Sequence, residues 1–338
     1  MTDTHAHLNF NIFKDDSDKI IKKCLDRNIQ IINIGSQYET SSRAVEMANK
    51  YEKGVYATIG LHPIHLSRTE VDEEEIFFKS REEKFDKEKY KRLLGDSRKN
   101  FSKRIPLTPL KKGGTIRSKS VSAPLCEGGQ GDYPRVKGEG KAKVVAIGEI
   151  GLDYFHIPKE MDVQEIKKIQ KQGFIEQLDF ARDSDLSVIL HCRGAKDNPL
   201  GAYGEMIDIL GTGAQPPLNP PLGKGGSERN TGVIHCFGAN LEIARQFLDL
   251  GFYIGFTGII TFKNVSNDLL ETVKKIPLDR ILGETDCPYL SPAPNRGERC
   301  IPQYVEFTLR KIAEIKGISF EEVEKQTDQN AGKLFGLF

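Results

Sequence analysis

Six short apolar runs in this chain end in a residue able to hold a divalent metal. They are Thr4-His5-Ala6-His7, Val55 to Leu61 before His62, and Val144 to Gly148 before Glu149. The others are Ser187 to Leu190 before His191, Gly232 to Ile234 before His235, and Arg280 to Asp286. In an extended segment His5 and His7 share a face, about 7 Å apart along the strand, a spacing suited to one ion. Taken with Glu149, His191, His235 and Asp286, the pair makes a set of six candidate ligands. Imidazoles with carboxylates suit Zn, Mn, Fe or Co, and carboxylates with water also suit Mg. Six donors exceed what one tetrahedral ion uses, so two ions sharing a bridging carboxylate is the natural count, with Glu149 as the best bridge. A metal pair of this type activates a water and stabilises both attacking and leaving oxygens.

The elements needed to position these donors follow from the runs themselves. Four to six consecutive apolar, β-branched-rich residues mark strands buried on both faces. A charged or imidazole group is costly inside such a core and useful at its rim. Strands are expected at 2–5, 31–35, 55–60, 144–149, 187–191, 232–236, 252–256 and 280–285. Helical patterns fall near 16–28, 40–51, 160–184, 201–211, 240–250, 266–275, 302–317 and 319–334. Eight alternating βα units predict an α/β fold, a (β/α)8 TIM barrel, whose strand ends all face one site.

The 338 residues are read as one barrel domain, 1–338, interrupted by surface insertions at about 79–142 and 212–230. Both stretches lack an apolar period and are rich in Gly and Pro. They share a Pro-Leu-x-x-Gly-Gly element at 109–114, 124–129 and 221–226. Such composition buries too little apolar area to offset ordering entropy, and surface loops tolerate insertion. The net charge is +1, but residues 79–119 hold fifteen Lys/Arg against five acids, a local +10. That stripe reads as a solvated insert first and a phosphate contact second. With 38% hydrophobic residues there is enough apolar material for a core. No stretch approaches the roughly 20 apolar residues of a membrane span, and the His motif begins where a signal peptide would. A cytoplasmic protein without a membrane partner is expected, and the sequence carries no signal for an oligomeric state. The six cysteines show no C-x-x-C pair, so free thiols are expected. Cys192, Cys236 and Cys287 each follow a proposed ligand and, by strand alternation, are read as packing residues.

Several motifs together resemble the TatD family of metal-dependent deoxyribonucleases. They are Asp3-Thr4-His5-Ala6-His7-Leu8, Gly60-Leu61-His62-Pro63, Gly148-Glu149-Ile150-Gly151-Leu152-Asp153-Tyr154, His191-Cys192-Arg193, His235-Cys236-Phe237 and Glu284-Thr285-Asp286-Cys287-Pro288-Tyr289. The resemblance covers nearly the whole chain outside the two insertions. It implies a TIM barrel with one or two metal ions (Mg, Mn or Zn) that hydrolyses DNA phosphodiesters. By motif, His5, His7, Glu149, His191, His235 and Asp286 would be the ligands, with Glu149 bridging and Asp286 also acting as general base. His62 and His65 would line the substrate cleft, and Arg193 would contact phosphate. The chain departs from the family at Ile64, which separates Pro63 from His65. It departs again at Gly238-Ala239, and at Cys300, where the family has Asn. None of these positions is a ligand.

Exonucleolytic action on DNA is the expected activity. The alternatives are another amidohydrolase-like metal hydrolase, a phosphoesterase or cyclic amidase, or a nucleic-acid-binding protein with a silent site. Asp153 reads as a turn cap before a catalytic group, and His156 as a surface residue. Glu284 reads either as orienting a ligand or as facing the barrel exterior.

Overall fold

The computed structural model describes residues 1–67, 82–95, 143–158, 160–211 and 231–337. Eight parallel strands form one sheet in the order β1 to β8: β1 Thr2–Ala6, β2 Gln30–Asn33, β3 Val55–Ile59, β4 Val144–Asp153, β5 Ser187–Arg193, β6 Gly232–Ile234, β7 Tyr253–Phe256 and β8 Ile281–Gly283. Beyond β8 the chain returns to β1, where Asp286 N donates to His5 O at 2.9 Å and His7 N to Cys287 O at 2.9 Å. These bonds close a (β/α)8 barrel.

Alternation along each strand sorts the core into two layers. Ile31, Val55, Ala57, Val188, Leu190, Ile254 and Ile281 face outward onto the helices. Ile32, Tyr56, Ala146, Ile189, Val233, Tyr253 and Leu282 fill the barrel interior. The outer layer packs against α1 Ser17–Asp26, α2 Tyr38–Asn49, α4 Val163–Asp183, α5 Gly201–Gly211, α6 Leu241–Asp249, α7 Asn267–Lys275 and α8 Val305–Lys316, with α3 Lys87–Leu93 set beside α2. Side-chain caps start several of these helices: Asp162 accepts from Gln164 N and Glu165 N before α4, and Asn240 from Ile243 N before α6. The last helix, α9 Phe320–Phe335, sends Leu334 and Phe335 into the interior layer. There Ser187 Oγ donates to Leu334 O at 2.7 Å, and Asn330 Nδ2 donates to the carbonyls of Leu278 and Ile281. Thus α9 plugs the floor, where the strands begin. The donors lie at the other end.

Part of the stretch expected from about 79 as a surface insertion packs against the barrel. Residues 82–95 include α3, whose Tyr90 is buried and donates to Gly60 O at 3.2 Å. Phe85 packs on Tyr90 and Phe180. The two apolar anchors are diluted by nine Lys, Arg and acidic neighbours in 82–95, so composition hid a segment that packs on the core. The remainder of that insertion and residues 212–230 lie outside the described residues. No helix among the described residues is long and apolar enough to cross a membrane.

Candidate metal centre

His5 lies within β1 and His7 directly after it. His191 lies near the end of β5, His235 just past β6, and Asp286 three residues past β8. Glu149 differs from expectation, because β4 runs on to Asp153 instead of ending at 149. Pairing with β5 slips between Ile147 and Ile150, and that irregularity turns Glu149 into the barrel mouth. Gly151 makes the continuation possible: at φ +145 a Cβ would stand 2.0 Å from His191 O.

All six proposed ligands converge. His5 Nε2 lies 3.2 Å from His7 Nε2, 3.4 Å from Glu149 Oε2 and 3.7 Å from Asp286 Oδ1. His7 Nε2 lies 3.4 Å from the same Asp286 oxygen. The other oxygen of Glu149 faces a second group: His191 Nδ1 at 2.9 Å, His62 Nε2 at 3.6 Å and His235 Nε2 at 3.9 Å. Ligand atoms each about 2.1 Å from a tetrahedral ion are about 3.4 Å apart. The spacings therefore match those of donors around a metal.

Hydrogen bonds behind the rings decide which imidazoles can ligate. His7 Nδ1 lies 3.2 Å from Ile34 O, which only accepts, so Nδ1 carries the proton and Nε2 offers its lone pair inward. His235 Nδ1 is held by Glu284 Oε2 at 2.9 Å, and His191 Nε2 by Asp153 Oδ2 at 3.0 Å. Such acceptor clamps on the far nitrogen are the usual outer shell of metal-binding histidines. His62 is the reverse. Its Nδ1 accepts from Ile64 N at 3.2 Å, leaving an N–H at Nε2 to face the mouth. Burial and the neighbouring His191 push its pKa down to about 3, so the ring is a neutral donor.

The cluster as a whole demands positive charge. Burial alone would raise the Glu149 carboxyl, but His62, His5 and His191 outweigh it and hold it well below the usual range. Asp286, buried too, is held low by His235 and His7. Conversely, burial opposes charge on His191 and His235, yet the carboxylates around them push these rings up to about 10 and about 9. Buried lone pairs and anions aimed at one volume fit a divalent cation, whose arrival would displace those ring protons.

Other expected residues divide. His65 is buried, with its ring edge-on 6.3 Å from that of His62, and it joins no group of converging donors among the described residues. Arg193 sits exposed on the same rim with its guanidinium 3.9 Å above the Phe155 ring. Glu284 faces inward, fully buried, where a Cβ on Gly255 would fall 2.3 Å from its Oε1. Asp153 is the turn cap read for it, accepting from Phe155 N and His156 N, and its carboxylate also clamps His191, a role the sequence does not announce. Cys192 and Cys287 pack in the outer layer as read. Cys236 does not, because at φ +46 it leaves the extended backbone that alternation assumes. Its sulfur consequently joins the donor atoms of His235 and Asp286. Asp3 went unmarked. Its buried carboxylate accepts from Thr285 N at 2.9 Å and Thr285 Oγ1 at 2.6 Å, tying β1 to the segment that carries Asp286.

A family model described as TatD related DNase matches residues 2–96 and 135–336. The unmatched stretch falls inside the first insertion. YabD, an uncharacterized metal-dependent hydrolase of Bacillus subtilis, is 32% identical over 99% of this chain and 98% of its own length. YcfH of Escherichia coli K12, also named as an uncharacterized metal-dependent hydrolase, is 37% identical over 57% of this chain and 63% of its own. The crystal structure of YjjV, a TatD homologue from Escherichia coli K12, superposes with a TM-score of 0.67 at 23% identity, covering 99% of this chain and 98% of that one, and shows the same fold.

Proposed function

The chain belongs to the TatD related DNase family and is a metal-dependent hydrolase, and we propose that its substrate is DNA, whose phosphodiesters it hydrolyses from a strand end. The observation that carries this reading is the divided Glu149 carboxylate. One oxygen faces His5 and His7 and the other faces His191 and His235, so Glu149 would hold metal in common with both groups of imidazoles. One or two divalent ions (Mg, Mn or Zn) held there would supply Lewis acidity and a water with its pKa lowered toward about 7.

The chain's own groups do the rest. Asp286 is ionised and borders both halves of the cluster, so it can steer the attacking water and accept its proton. Water oxygen attacks phosphorus as the ester bond to the departing nucleotide breaks. His62 presents Nε2–H toward the mouth, and Arg193 presents five donors from the rim; both suit non-bridging phosphate oxygens. His65 would act from behind His62, setting its position in the substrate cleft. Because the donors are recessed, with His5 fully buried, a strand must reach into the mouth. A frayed or single-stranded terminus does so more readily than the middle of a duplex.

The test is end-labelled single- and double-stranded DNA incubated with purified protein and each metal in turn. Stepwise shortening is expected, faster on single strands. DNA left intact while a phosphotriester or cyclic amide is hydrolysed would replace this reading with a broader hydrolase.

A further inference from the structure

The rim beyond β4 carries an aromatic ring that the metal centre does not use. Phe155 belongs to neither apolar layer of the core. It is half-buried, and what covers it is cationic: the Arg193 guanidinium at 3.9 Å from the ring centre and the Lys196 ammonium at 5.1 Å. Both cations are exposed, and neither has a carboxylate partner among the described residues. Exposed His156 stands edge-on to the same ring at 4.9 Å.

The position of Phe155 is set, not incidental. Asp153 Oδ1 accepts from Phe155 N at 3.0 Å and His156 N at 2.9 Å, while Oδ2 of the same carboxylate receives His191 Nε2. Tyr154 N donates to Arg193 O at 2.8 Å, which fixes the two strand ends side by side. One carboxylate therefore ties the loop bearing Phe155 to an imidazole of the metal centre.

We propose that Phe155, flanked by Arg193 and Lys196, is a base-stacking subsite that holds the nucleotide next to the scissile bond of a single strand. This rests on the nuclease reading. An aromatic face beside unpaired cations is how proteins hold single strands without reading sequence, since every base has a π-face and every nucleotide a phosphate. The cations resting on the ring keep it from collapsing onto the core and move to phosphate as a base takes their place. The subsite selects for the presence of a base and not for its identity.

The experiment compares kcat/KM on a single-stranded oligonucleotide with that on the same strand lacking one base beside the scissile bond. It uses the full-length metal-loaded protein, Phe155→Ala and Phe155→Trp, with metal content and unfolding midpoint as controls. The wild type is expected to prefer the intact strand about tenfold, the size one base–aromatic stack supports, mainly through KM. Phe155→Ala should lose that preference and Phe155→Trp regain it. A wild type without the preference, or an alanine variant that keeps it, overturns the subsite while leaving the nuclease reading standing. Failure of the wild type to cut either strand removes both.

Discussion

The two sides of the donor cluster are held by different means. On the β1/β8 side, His5, His7 and Asp286 are fixed by main-chain bonds that also close the barrel, and by Asp3 gripping Thr285. On the β4/β5 side, the Asp153 side chain orients His191, which in turn bonds Glu149, and the His191 ring is 17% exposed against 0% for His5. One side is part of how the protein folds. The other is oriented by side-chain hydrogen bonds, and it is the side that carries the rim loop and Arg193.

That contrast can be broken at four points. Glu149→Ala touches both sides at once and should lower activity by about a thousandfold or more, the loss of several kcal/mol of transition-state stabilisation, with the fold intact by circular dichroism. Asp153→Ala releases only the β4/β5 side. Metal affinity or turnover should fall about 10- to 100-fold, with titration calorimetry showing the weaker of two sites affected and the unfolding midpoint hardly changed. Asp3→Ala should do the opposite, costing about 2 kcal/mol of unfolding free energy in metal-free denaturant titrations because Thr285 loses its buried acceptor. If these two variants altered stability and metal binding in the same proportion, the distinction between the sides would be wrong. The smallest effect belongs to residues 97–142. Replacing them with a linker of about ten residues should shift stability by about 1 kcal/mol, since loop closure costs only about 0.6 kcal/mol per doubling. Extending the cut back through α3 should be far worse, because Tyr90 and Phe85 go with it.

The barrel and the convergence of the proposed ligands were legible because a buried parallel strand writes itself as an unbroken apolar run, and a polar residue ending it has few places to be. The runs before His62, His191 and His235 illustrate this well. What was illegible depends on partners far apart in sequence. Asp3 meets Thr285 across 282 positions, and nothing local to either announces the other. Glu284 was ambiguous for the same reason, its inward direction being set by the space above Gly255. Cys236 misled because alternation holds only while the backbone stays extended, and α3 because two aromatic anchors were dispersed among charges.

The plug formed by α9 bears on when the enzyme can come into existence. β1 precedes every other strand and α9 follows them all, and the two meet at the floor, where Tyr56 donates to Leu337 O and the Met1 amine reaches Glu324 and Asp328. His5 must likewise wait for a segment some 280 residues downstream before its side of the centre is complete. Catalytic competence is therefore a property of the closed circle and of no part of it.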